Sequence, residues 1–174
     1  MEADIFYLGM YLRIALSLLI DGDWTDTACF FQDIPLSKRI SQKETQEIWQ
    51  KCIYNFEQYL KNEIQNNPDN GNRLNSFRQE ISDSCRKAAE TNQKLYRLTV
   101  PTGAGKTLSS LRFALYHARK EQKNRIIYVA PFTSILEQNA EEIRKATGLP
   151  SVVLEHHCNV ICEEGEEEKY RNLT

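Results

Sequence analysis

Val100-Pro101-Thr102-Gly103-Ala104-Gly105-Lys106-Thr107 stands between an apolar run, Leu95 to Val100, and a run with helical spacing that opens at Lys106. A triphosphate needs several donors converging on closely spaced oxygens. Glycines at 103 and 105 remove the Cβ atoms that would keep the backbone away, and the N–H groups that follow form an anion nest at a helix N-terminus. The pattern predicts a phosphate loop in which Thr102, Gly103, Ala104, Gly105, Lys106 and Thr107 bind ATP. Lys106 serves the β- and γ-phosphates as a point charge, and the Thr107 hydroxyl serves Mg²⁺. Val100 stands where the strict pattern asks for glycine. The bland alternative is a glycine-rich turn with a surface lysine.

Working outward, the elements downstream alternate. A helix carries Leu108, Leu111, Leu115 and Ala118; a second strand runs from Arg125 to Ala130 and ends at Pro131. The next helix uses Ile135, Leu136, Ala140 and Ile143, and Ser151 to Leu154 reads as a third strand. This β–α–β–α–β order predicts parallel strands with right-handed crossovers and ligands at their carboxyl ends.

Upstream the pattern is helical. Residues 4–20 are apolar on nearly every face, which predicts a helix buried in a bundle. It is expected to stop at Asp21-Gly22-Asp23-Trp24-Thr25-Asp26, a carboxylate cluster that suits either a helix cap or a hard cation. Ser41-Gln42-Lys43-Glu44 forms a capping box before the stripe Ile48, Trp49, Cys52, Phe56, Tyr59, Leu60 and Ile64. Asn66 to Asn72 is linker-like. A further helix places Leu74, Phe77, Ile81, Cys85 and Ala88 on one side. The expected fold is therefore α/β: an N-terminal all-α segment, residues 1–65, then a linker, 66–72, then part of a parallel sheet with the phosphate loop, 73–174.

The totals bound the partners. The net charge of −2 hides a division, since residues 73–125 hold twelve Lys or Arg against four Asp or Glu while both flanks are acidic. A basic segment around such a loop suits nucleotide or nucleic acid. Five dispersed cysteines fit a reducing cytosol, and the absence of a basic, apolar leader points to a cytoplasmic protein. The longest apolar run, Ile14 to Ile20, is broken by Ser17 and is short for a bilayer, so no membrane partner is expected.

Together these stretches resemble the CRISPR-associated helicase–nuclease of type I interference systems, which joins an HD-type metal nuclease to a superfamily-two helicase. The phosphate loop carries part of the resemblance. Ile127-Tyr128-Val129-Ala130-Pro131-Phe132-Thr133-Ser134-Ile135-Leu136-Glu137-Gln138 is similar to that family's motif for the single-stranded DNA backbone. Leu154-Glu155-His156-His157 resembles its stretch after the third strand, and Phe77-Arg78-Gln79-Glu80-Ile81 its adenine-reading segment. The resemblance implies Gln79 at the adenine, and Pro131, Thr133, Ser134, Gln138, His156 and His157 along single-stranded DNA. It implies a RecA-like sheet, ATP with Mg²⁺, and a Cascade-type surveillance complex as partner. Leu16 to Trp24 resembles the last metal-ligand segment of the HD domain, which implies Asp23 as a ligand. The other HD histidines have no counterpart, so a divalent metal there needs the complete protein. No Asp-Glu-x-His tetrad follows Leu154, so hydrolysis and cleavage centres are expected outside this chain.

Two other classes fit the loop. A small P-loop kinase would use it, although a glutamate cluster at 163–168 replaces the basic lid such an enzyme needs. A non-catalytic nucleotide-binding module is the other. His156-His157-Cys158 with Cys162 offers a zinc set, set against strand-end packing and DNA contacts.

Overall fold

The structure, a computed structural model, describes residues 2–32, 40–66 and 73–155. It divides into two units, residues 1–38 and residues 39–174. In the first unit the described element is α1, Glu2–Gln32. In the second unit the helices are α2 (Gln42–Asn66), α3 (Arg73–Ala89), α4 (Lys106–Lys120) and α5 (Thr133–Thr147), followed by a short 3-10 turn, Pro150–Val152.

The carboxylate cluster does not end α1. Gly22 takes no positive φ, so it supplies no left-handed stop, and one helical glycine costs only about 1 kcal/mol against alanine. Nor is the apolar surface of α1 buried: Ile5, Phe6, Leu8, Leu12, Leu16 and Leu19 are all exposed. The 20-residue stretch Asp4–Asp23 contains an 18-residue window of mean hydropathy 1.5, long and apolar enough, by length and composition alone, to cross a membrane. The short run Ile14 to Ile20 understated it, because the helix carries apolar character past Ser17, Gly9 and Arg13.

In the second unit, local sequence chemistry sets where α2 begins. The Ser41 N–H donates to the Glu44 carboxylate at 2.8 Å, and the Glu44 N–H donates back to the Ser41 hydroxyl at 3.3 Å. The capping box is formed as its spacing predicts. The apolar stripe then packs: Cys52, Ile53 and Phe56 of α2 meet Leu111, Leu115 and Tyr116 of α4, Ala89 of α3 and Ala146 of α5. Ile81 and Cys85 of α3 form a second cluster with Ala104 of the glycine-rich loop. These clusters seat the loop on the helices around it.

Cross-links give the helix directions. Arg78 reaches Gly103, Ser82 and Asp83 reach Arg112, and Lys120 reaches the carbonyls of Glu90 and Thr91, so α3 and α4 run side by side in the same sense. Helix α2 runs the opposite way, with Glu57 on Arg112 and Trp49 on the carbonyl of Lys123. Arg112 is the main polar tie. It is 4% exposed, grips Glu57 with two bonds of 2.8 Å, and bonds Asp83 at 2.7 Å and Ser82 at 3.1 Å.

The expected parallel sheet is not there. Among the described residues the chain is helical with no strand, and Leu95 to Val100 and Arg125 to Ala130 lie without ladder hydrogen bonds. A strand is stable only against a partner, and these runs leave Leu95, Ile127 and Val129 more than 80% exposed. The third expected strand begins as the 3-10 turn Pro150–Val152, where proline fixes φ and has no N–H for a ladder. The N-terminal helical expectation agrees with the structure; the α/β class does not. Of the linker 66–72 only Asn66 is described, at the end of α2, and residues 156–174 also lie outside the described residues.

Candidate nucleotide site

The loop before α4 needs its glycines. Gly103 has φ 80° and Gly105 φ 75°, backbone that side chains with a Cβ rarely adopt. A Cβ on Gly103 would meet nothing within 4 Å, so that position opens onto free space. Arg78 donates through Nε and Nη2 to the Gly103 carbonyl at 2.9 and 2.8 Å. Within the loop, the Ala104 N–H donates to the Pro101 carbonyl at 3.3 Å. Gly105 is the N-cap of α4 and supplies no side-chain bond, so the first N–H groups of the helix have no intrahelical partner until Ser109 reaches the Gly105 carbonyl.

These groups border a cavity of about 580 Å³, within the range of small-molecule sites. Pro101, Thr102, Gly103 and Gly105 line it from the loop, and Lys106, Thr107 and Leu108 from α4. Ala104 is turned inward and buried at 2% exposure. Lys106 is exposed and has no hydrogen bond or ion pair among the described residues. The Thr107 hydroxyl donates to Asn139 Oδ1 at 3.1 Å. Its oxygen keeps lone pairs for a cation. An open helix N-terminus behind a glycine-rich loop, a free ammonium and an oxygen donor are what a magnesium–nucleotide requires, so the residues present fit ATP with Mg²⁺.

Four further walls were not legible as a site. Tyr59 and Glu63 come from α2, Arg78 from α3, and Glu142 from α5. Tyr59 reads as a core residue on an apolar stripe, and Arg78 as a charge off the packed face of α3. Only their three-dimensional placement brings them to the loop. Burial, then the nearby Glu63, pushes the Glu142 carboxyl above the usual carboxylate range. Burial followed by Glu63 and Glu142 also raises the Tyr59 phenol.

The other expected site residues are distributed as follows. Gln79 donates to both carboxylate oxygens of Asp83 at 3.2 Å and is not among the cavity's lining residues. Gln138 does line the cavity. Thr133 and Ser134 open α5, whose N-cap is Phe132 with no side-chain cap bond, so neither hydroxyl caps the helix. Pro131 is exposed just before it. Asp23 is exposed on α1, and no group of three or more metal-ligating side chains occurs among the described residues. His156 and His157, with the zinc set they anchor, lie outside the described residues.

A glycine-rich loop opening a helix, beside a cavity with a free lysine, defines a nucleotide-binding class of protein. Residues 71–172 match the family described as type III restriction enzyme, res subunit. The match covers more than half of the chain, and the chain belongs to that family, a helicase-like, ATP-dependent enzyme family. No curated protein and no solved structure matches it.

Proposed function

We propose that this chain supplies the triphosphate-binding loop of an ATP-driven single-stranded-DNA translocase in a CRISPR-type interference system. The carrying observation is the loop itself: two left-handed glycines, the unpaired Lys106 and the open N-terminus of α4 meet at one cavity. Bound Mg²⁺ would neutralise phosphate charge. The chain's own part is to cradle the phosphates with the N–H groups of Gly103 and of residues 105–107, to place Lys106 on the terminal phosphates, and to present the Thr107 oxygen to the cation.

DNA is proposed to run past the start of α5, where Thr133 and Ser134 sit in an uncapped first turn. Short hydroxyls and free N–H groups suit phosphate oxygens without reading base identity. The interference setting and the HD-type nuclease partner rest on the sequence resemblance at Leu16 to Trp24 and Ile127 to Gln138. The carboxylates lining the cavity, Glu63 and Glu142, stand on α2 and α5 rather than on the loop side. We therefore propose that hydrolysis needs acidic groups supplied elsewhere in the enzyme.

Equilibrium titration with Mg-ATP tests the reading. Wild type is expected to bind, and Lys106→Ala to lose at least about tenfold, the effect of one charge-assisted contact of roughly 1.5–3 kcal/mol. Equal affinity in both proteins would refute it.

A further inference from the structure

Resting on that reading, we infer that Asn139 is a positioning residue that sets the Thr107 hydroxyl for the cation and so links α5 to the filled phosphate loop. Nothing in the sequence pattern marks Asn139, which stands 32 positions from Thr107.

The argument starts from what a hydroxyl can do. Thr107 has one proton and two lone pairs, and a cation can use only the lone pairs. A threonine at the second position of a helix can instead turn its proton to a nearby backbone carbonyl, which rotates the oxygen away. The structure fixes the choice: the proton goes to Asn139 Oδ1 at 3.1 Å. Asn139 is 8% exposed, so water competes weakly for that acceptor. Thr107 itself lines the cavity, so an oxygen whose proton is committed to Asn139 has its lone pairs left for a cation bound there.

Asn139 is also the residue after Gln138, which lines the same cavity, and it lies on the second turn of the helix that Thr133 and Ser134 open. A cation drawing on the Thr107 oxygen makes its proton a stronger donor to Asn139, since a polarised hydroxyl gives a stronger hydrogen bond. Occupancy of the loop therefore tightens α5 onto α4. Among the described residues Thr107 to Asn139 is the one side-chain hydrogen bond between those helices, which otherwise share the apolar cluster of Ala146 with Leu111 and Leu115.

The test is ATP affinity measured in magnesium and in EDTA, for the whole chain. Wild type is expected to bind more tightly with magnesium. Asn139→Leu, matched in size without an acceptor, is expected to lose about fivefold in magnesium, the weight of one net hydrogen bond, and nothing in EDTA. Asn139→Asp, which keeps an acceptor oxygen, should retain the magnesium gain. A full magnesium gain in Asn139→Leu, or an equal loss in both buffers, overturns the inference. A wild type indifferent to magnesium would instead refute the underlying reading, and the inference with it. Should Asn139→Leu fail to fold by circular dichroism, amide hydrogen exchange on wild type decides. The first two turns of α5 must gain protection with Mg-ATP beyond that with ATP in EDTA, and no added protection overturns the inference.

Discussion

Replacing Arg112 by methionine should unfold the helical unit more readily than any other single change at its polar contacts. The side chain is 5% exposed and makes four hydrogen bonds, two of them a fork on Glu57. Burial opposes the guanidinium charge, yet the bonds to Glu57 and Asp83 outweigh it and hold the group more firmly protonated than usual. Removing one partner of a buried pair leaves the other charged and unpaired, which typically costs about 3–5 kcal/mol. Asp83 is 46% exposed and can be rehydrated, so its share is small; Glu57 is 23% exposed and carries most of the loss. The expected destabilisation is about 3 kcal/mol, more than a hundredfold in the folding equilibrium. Urea titration followed by far-ultraviolet circular dichroism measures it. Adding Glu57→Gln to Arg112→Met should recover about 1 kcal/mol or more, because it deletes the stranded charge. A loss below about 1 kcal/mol for Arg112→Met, or no recovery in the double variant, would refute the reasoning.

Two further outcomes follow from the site. Arg78→Ala frees the Gly103 carbonyl, and ATP affinity should fall about threefold or more while amide exchange at residues 103–105 accelerates; unchanged exchange would mean the loop holds its own shape. Glu142 has a raised pKa in the folded chain, so its contribution is intact below the ordinary value of 4.5 and is lost as pH rises through the higher folded value. Glu142→Gln should therefore gain stability relative to wild type as pH rises across that window, and parallel pH–stability curves would count against it.

What could be read from the chain alone was what a few neighbouring residues settle among themselves. The Ser41–Glu44 box, the glycines of the loop and the 3.6-residue stripes of α2 and α4 are complete within a turn or two. Strands are not complete in that way. Leu95 to Val100 and Arg125 to Ala130 have the right composition, but a ladder needs a second chain segment at a fixed distance, and none pairs with them among the described residues. Helix α1 was misjudged for a related reason, since an apolar surface says what a helix could bury and not that it is buried. The cavity's far walls escaped because Tyr59, Arg78 and Glu142 reach the loop only through tertiary packing. Arg112 and Glu57 likewise stand 55 positions apart.

One small joint has consequences for how this sequence can drift over generations. At the end of α5, Gly148 adopts φ 63°, and a Cβ there would lie 3.1 Å from the Asn55 amide nitrogen. That same nitrogen donates to the carbonyl of Thr147 at 2.8 Å. Substituting Gly148 therefore meets two penalties at once, backbone strain and a crowded amide that cannot retreat without dropping its bond. Shortening Asn55 first would relieve the crowding but not the strain, so even a paired route through positions 55 and 148 passes through a weakened ancestor. Lineages carrying this fold should change freely at Glu141 and Lys145, exposed on the same helix, long before they change here.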